Sequence, residues 1–158
     1  MMNIADRKAG GLRRSPFNTL SEAEIEHLKN EIRAIDADES AFVFNKYSRT
    51  SYHDDDNIIS VRGDIMPDTS SNSIHPRDLM SERAVLAHEY YGHYKYAPSK
   101  YELGDWRDEF RASYMAAKNT PNLLTQDRVY LVMDAIERAK EAGVSIKYNS
   151  FMRRILYG

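Results

Sequence analysis

The run His88-Glu89-Tyr90-Tyr91-Gly92-His93, preceded by the apolar Ala84-Val85-Leu86-Ala87, constrains this chain more than any other stretch. Two imidazoles and a carboxylate so close together carry the donors to hold a zinc ion and to take a proton from a water on it. In the common zinc-binding helix pattern H-E-x-x-H the histidines stand at i and i+4, about 40° apart around the helix axis. Here the second histidine is at i+5, about 140° away on a regular α-helix. Either the helix is distorted at this point, or only one of the two histidines is a ligand.

With no cysteine in the chain, disulfide scaffolds and thiolate metal sites are excluded, and any zinc must be held by His, Asp or Glu. A length of 158 residues suits one compact domain with a core of its own. Residues 1–18, with Arg7, Lys8, Arg13 and Arg14 around Gly10-Gly11, read as a flexible N-terminal arm, and residues 19–158 as a single catalytic domain. A formal net charge of −2 leaves no basic excess, so neither nucleic acid nor an anionic membrane is the expected partner. No apolar run approaches the ~18 residues of a membrane span, and the first thirty residues lack the apolar middle of a secretory signal. A cytoplasmic location follows as the expectation, with delivery by a signal-independent route as its alternative.

The periodicities predict an α+β fold, compact and mostly helical, with a small antiparallel sheet. Ser21 and Glu24 form a capping box, Leu20 and Ile25 stand at staple positions, and Ile25, Leu28, Ile32 and Ile35 make an apolar stripe that ends near Asp36. Residues 41–47 and 58–63, rich in β-branched and aromatic side chains, read as two antiparallel strands. The polar run between them, including His53-Asp54-Asp55-Asp56-Asn57, reads as a solvated turn, since it lacks the spacing of a calcium loop. Arg62-Gly63-Asp64 spells an adhesion tripeptide, a poor reading at a strand end. Residues 66–76 read as a loop carrying His75.

Asp78 or Ser81 then caps a helix running through the motif to about Tyr96, stopping before Pro98. Asp105 caps the next, from Trp106 to about Lys118. A further helix has Thr125 as its cap, Leu124 and Val129 as staple, and Val129, Val132, Met133 and Ile136 as inner face, closed by Gly143. Residues 149–157 form a last short helix, docking through Phe151, Ile155 and Leu156.

A hydrolytic zinc site takes three protein ligands and leaves a position for water. The helix after the motif offers Asp105, Asp108 and Glu109 as the third. Glu109 is the best placed, because Ala112, Ser113 and Ala116 share its face and let the two helices approach closely. Glu89 is then no ligand but the general base. Tyr114, Tyr101, Tyr148 and His75 are candidate oxyanion donors, among which the residues make no choice. The tyrosines Tyr90, Tyr91, Tyr94 and Tyr96 divide between cleft and core.

Together, His88-Glu89-Tyr90-Tyr91-Gly92-His93 and Asp108-Glu109-Phe110-Arg111-Ala112 resemble the H-E-x-x-G-H and E-E-x-R-A zinc signature of the dipeptidyl peptidase III family. The resemblance covers the two motifs. It implies that His88, His93 and Glu109 bind Zn2+, that Glu89 is the base, and that the helix widens near Gly92 so that both histidines converge, as in a π-bulge. In this chain the motifs lie closer together, and Asp108 and Ser113 stand where that family carries acidic residues beside its ligand. The expectation is therefore a compact zincin with a similar zinc site, acting on a peptide or protein substrate, without a claim of dipeptide release. The strand 58–61 is expected to offer an edge for an extended peptide. The alternatives are a zinc hydrolase of a non-peptide amide, or a non-catalytic metal-binding or interaction domain, a toxin or effector domain included.

Overall fold

A computed structural model describes residues 17–66, 75–97 and 99–158. Most of the arm expected at residues 1–18, most of the loop expected at 66–76, and Pro98 lie outside the described residues. The architecture is α+β, with helices packed around a small sheet.

Helix α1 (Glu22–Ala34) starts as the capping box requires: Ser21 Oγ accepts from the Glu24 amide at 3.1 Å and Glu24 accepts from the Ser21 amide at 2.9 Å. Its stripe buries Leu28, Ile32 and, just past the end, Ile35. The chain then turns through Asp36 at φ 57°, a left-handed conformation that Asp tolerates.

The sheet differs from expectation. It has three strands, β1 (Phe42–Phe44), β2 (Ser51–His53) and β3 (Ile58–Val61), in the order β1-β3-β2. The segment 58–61 is therefore the central strand and not an edge. β1 pairs with it in parallel, with Phe42 opposite Ile59, while β2 pairs with it antiparallel, so the sheet is mixed. β1 stops short of Tyr47 because Asn45 adopts φ 59° and turns back to α1, accepting from the Leu20 amide at 2.7 Å and donating to the Leu20 carbonyl at 2.9 Å. β2 was hidden in the polar run: three residues are too few to show a period of two. The exposed turn after it, Asp54 to Asn57, closes the β2–β3 hairpin with Asn57 at φ 53°, and Asn57 accepts from the Tyr52 hydroxyl at 2.8 Å. The adhesion-like tripeptide is structural. Gly63 donates to the Asn18 carbonyl, and Asp64 accepts from the Thr50 amide and hydroxyl.

A short helix α2 (Pro76–Leu79), capped by His75, leads into α3 (Glu82–Ala87), where Ser81 accepts from the Ala84 amide at 3.0 Å. α3 packs on α1 and is buried at Ala84, Val85, Leu86 and Ala87. α4 (Trp106–Asn119) is capped by Asp105, as expected, and packs along α5 (Thr125–Glu141). Thr125 is not the cap of α5. Leu124 holds that position with its amide donating to Asp127 at 3.1 Å, and its own side chain is exposed rather than stapled. The buried face of α5 is also rotated from the expected one. Val132 and Ile136 face inward, but Val129 and Met133 are only partly buried, and Leu131, Asp134, Ala135, Arg138 and Ala139 take the core side. α6 (Ser150–Tyr157), capped by Asn149, packs on α5 and docks Phe151, Ile155 and Leu156 beside the buried Met152. Among the described residues no helix is long and apolar enough to cross a membrane.

Candidate metal centre

After Ala87 the α3 helix widens into one π-helical turn, His88–His93, followed by a 3-10 turn, Tyr94–Tyr96. The Tyr94 amide donates back to the Glu89 carbonyl, five residues earlier. At about 4.4 residues per turn, residues five apart are about 50° apart around the axis instead of 140°. Both imidazoles therefore share a face, with ring centroids 4.9 Å apart. Gly92 makes the packing of that turn feasible: a Cβ there would lie 2.6 Å from the Ala112 carbonyl oxygen and 2.7 Å from its Cβ. The small faces of the two segments meet here, and α4 carries its carboxylates to the histidines.

Glu109 of α4 reaches both rings, with Oε1 2.8 Å from His93 Nε2 and Oε2 3.7 Å from His88 Nε2. The three residues are buried, and one ligand atom from each lies within 4.8 Å of the others. Donor atoms bound tetrahedrally to one zinc stand about 3.3 Å apart, so small adjustments suffice. A further observation bears on the fit. His88 Nε2 is buried and has no hydrogen-bond partner among the described residues, although buried imidazole nitrogens ordinarily have one. The donor set, two imidazoles and a carboxylate, suits zinc.

Charged groups around the cluster come from three directions. Asp108 approaches His93 Nδ1 at 3.4 Å, and Arg111 donates to Asp108 at 3.2 Å. Arg138 of α5 sits 2.9 Å from Glu109 Oε2 and 3.2 Å from Asp134 Oδ2. Asp134 also takes Arg77 at 2.6 Å, and Arg77 reaches Glu141 as well. Burial opposes the ionisation of Glu109, but Arg138 and the histidines hold its carboxyl well below the ordinary range. Burial likewise opposes a charge on His93, yet Glu109, Glu89 and Asp108 outweigh it and raise the imidazole. Glu89 is raised by burial, against the pull of His88 and His93.

Glu89, His93 and Glu109 form one wall of a cavity of about 310 Å³. β2 contributes Ser51, Tyr52 and His53, the connection from β1 to β2 contributes Tyr47 and Arg49, and Leu103 and Gly104 come from the segment before α4. Tyr52 lies flat on His93, ring centroids 5.9 Å apart at 4°, and His53 stacks on Tyr47 at 4.4 Å.

Of the oxyanion candidates, none lines this cavity. Tyr101 comes nearest, in an adjoining space of about 80 Å³ shared with His93 and Asp108. The Tyr114 hydroxyl accepts from Asn149, and its ring packs on Phe151 of α6. Tyr148 is partly buried against the core. His75 caps α2 and pairs with Glu141 at 3.3 Å, within a second group of possible metal donors, His75, Glu137 and Glu141, where Arg77 already takes Glu141. Asp105 is engaged with Arg107 and is not part of the ligand cluster. Tyr90 and Tyr91 are core residues: Tyr90 stacks on Phe42 and Tyr94, and the Tyr91 hydroxyl donates to the Ile35 carbonyl at 2.7 Å.

Sequence reasoning missed Asp134 and Arg138, although a signal for them exists. Positions 131, 134, 135, 138 and 139 follow the i, i+3, i+4, i+7, i+8 spacing of a buried stripe, and two of them are charged. Charges in phase with a core face have to be paired inside the protein. No protein-family model, curated protein or solved structure matches the chain.

The Gly92 contact is directly testable. Gly92→Ala is expected to destabilise the protein by about 1–3 kcal/mol in urea unfolding, the range for an overpacked core site. Zinc uptake should fall with it, because α4 must move off the π turn and take Glu109 with it. Unchanged stability and uptake would show that the close approach is not required.

Proposed function

We propose that the protein is a zinc-dependent hydrolase of peptide bonds, with His88, His93 and Glu109 as ligands and Glu89 as general base. The observation that carries this reading is the convergence of His88 and His93 through the π turn onto Glu109, with the buried Nε2 of His88 facing no other partner. A zinc ion held by these residues would polarise a substrate carbonyl and acidify a water molecule. Glu89, in the wall of the same cavity, takes the proton and returns it to the leaving amine. Its burial raises its affinity for that proton, against the pull of the two histidines.

The substrate class follows from the sheet. β2, with one side paired to β3, is an edge strand among the described residues, and Ser51, Tyr52 and His53 all line the cavity. An extended peptide pairing with that edge lies along the wall that contains Glu89. This replaces the edge expected from residues 58–61. Arg49 and His53, which also line the cavity, carry nitrogen donors for a carbonyl oxygen.

The reading is tested by metal analysis and turnover together. Purified protein is expected to bind close to one zinc per chain and to cleave peptides only when loaded. Glu109→Ala is expected to weaken zinc binding by at least about 100-fold, since two imidazoles alone make an incomplete site. Undiminished zinc content in that variant would move the third ligand elsewhere, and a folded wild type that takes up no zinc would overturn the proposal.

A further inference from the structure

We propose that Ser113 and Asp134 are positioning residues that lock the tautomer of His88, keeping the proton on Nδ1 and leaving Nε2 as a bare lone pair. The lock is a property of the protein alone; its consequence for metal binding rests on the function proposed above.

The argument is a count of protons. Asp134 is fully buried and held from two elements, by Arg77 of α2 at 2.6 Å and by Arg138 of α5 at 3.2 Å. Flanked by two guanidinium groups it is a carboxylate, able only to accept, and although burial opposes its charge those cations hold it below its ordinary range. Ser113 Oγ stands 2.6 Å from Asp134 Oδ2, so the one hydroxyl proton goes to Asp134. Ser113 Oγ also stands 2.8 Å from His88 Nδ1. With its proton spent, the hydroxyl can only accept there, and Nδ1 must donate. In the neutral imidazole, the form that ligates a metal, there is one N–H, so in that form Nε2 carries none. The observed surroundings of Nε2 agree: it is buried, makes no hydrogen bond to the described residues, and stands 3.7 Å from the carboxylate Oε2 of Glu109.

The opposite tautomer fails on the same count. It would require the Ser113 proton to point at Nδ1, leaving two oxygens 2.6 Å apart with no proton between them. Histidine ligands commonly have their second nitrogen fixed by a carboxylate or carbonyl. Here the hydroxyl of α4 relays the carboxylate of α5, so the readiness of His88 depends on how those two helices pack.

The experiment reads the tautomer directly. In metal-free protein at neutral pH, long-range proton–nitrogen NMR of labelled histidines, with His88 assigned from a His88→Gln spectrum, is expected to show Nδ1–H and an unprotonated Nε2. Ser113→Ala should move His88 toward the Nε2–H form, and Ser113→Thr, which keeps the hydroxyl, should restore the wild-type pattern. In zinc titrations Ser113→Ala should bind roughly 10–100-fold more weakly, the usual effect of losing such a partner, with Ser113→Thr recovering most of it. A wild type found as Nε2–H or doubly protonated overturns the lock even if zinc binds. An Nδ1–H wild type that binds no zinc supports the lock and defeats the metal reading. Should the alanine variant fail to fold, the wild-type spectrum alone decides.

Discussion

Glu89→Gln is expected to retain one zinc per chain while lowering peptide hydrolysis by about 10²–10⁴-fold, the usual worth of a positioned general base. The two halves of that expectation have separate grounds. On the proposed reading zinc is retained because Glu89 is not among the three residues, His88, His93 and Glu109, whose donor atoms converge. Activity falls because Glu89 is the carboxylate of the cavity wall that stands outside the group His88, His93 and Glu109 and is left to take a proton. Glutamine has nearly the same shape and still hydrogen-bonds, but it cannot take a proton. Metal analysis beside steady-state kinetics on one peptide reads both. Persistent hydrolysis would assign the base elsewhere, and loss of zinc would make Glu89 a ligand.

Arg138→Met is expected to cost roughly 3–5 kcal/mol of stability near neutral pH, the range for removing one partner of a buried ion pair. Methionine fills much of the same volume, so the loss is electrostatic. Two carboxylates each lose a compensating cation at once, Glu109 at 2.9 Å and Asp134 at 3.2 Å. The pH dependence has a definite sign. Both carboxyls have depressed values in the folded protein, so in the wild type their contribution is present above the unfolded value and is lost as pH falls through the folded one. Without Arg138 both values rise, and the variant gains relative stability as acid protonates them. Its deficit should therefore shrink as the pH falls from neutral, and zinc, by neutralising Glu109, should shrink it too. Urea unfolding at neutral and at mildly acidic pH, with and without zinc, makes the test. A deficit below about 1 kcal/mol, the size of a surface pair, would mean that Arg138 does not compensate these charges.

The helices were legible because their signals are local. The capping box at Ser21, the cap at Asp105 and the close of the last helix at residue 157 need only neighbours within one turn. The sheet was read less well. β2 has three residues, and the parallel pairing of β1 with β3 is a long-range choice that no turn residue announces. The rotated face of α5 went unread for a related reason: its core side carries Asp134 and Arg138, which a hydrophobicity pattern assigns to solvent. Their partners, Arg77, Ser113 and Glu109, lie on other elements, so the burial is intelligible only once those elements are placed.

The chain's own residues determined the i+5 spacing of the histidines, the glycine one place before the second, and the carboxylates of the following helix, and with them the need for a widened turn. Those are covalent facts of spacing, and helix geometry turns them into an angle. Tertiary structure alone decided which groups then meet: that Ala112 lies against Gly92, that Ser113 rather than a solvent molecule holds His88 Nδ1, and that, among the described residues, the strand edge at the cavity is β2. Contacts between residues far apart in sequence depend on how whole faces pack, and that packing, not any local pattern, leaves the Nε2 of His88 buried without a partner.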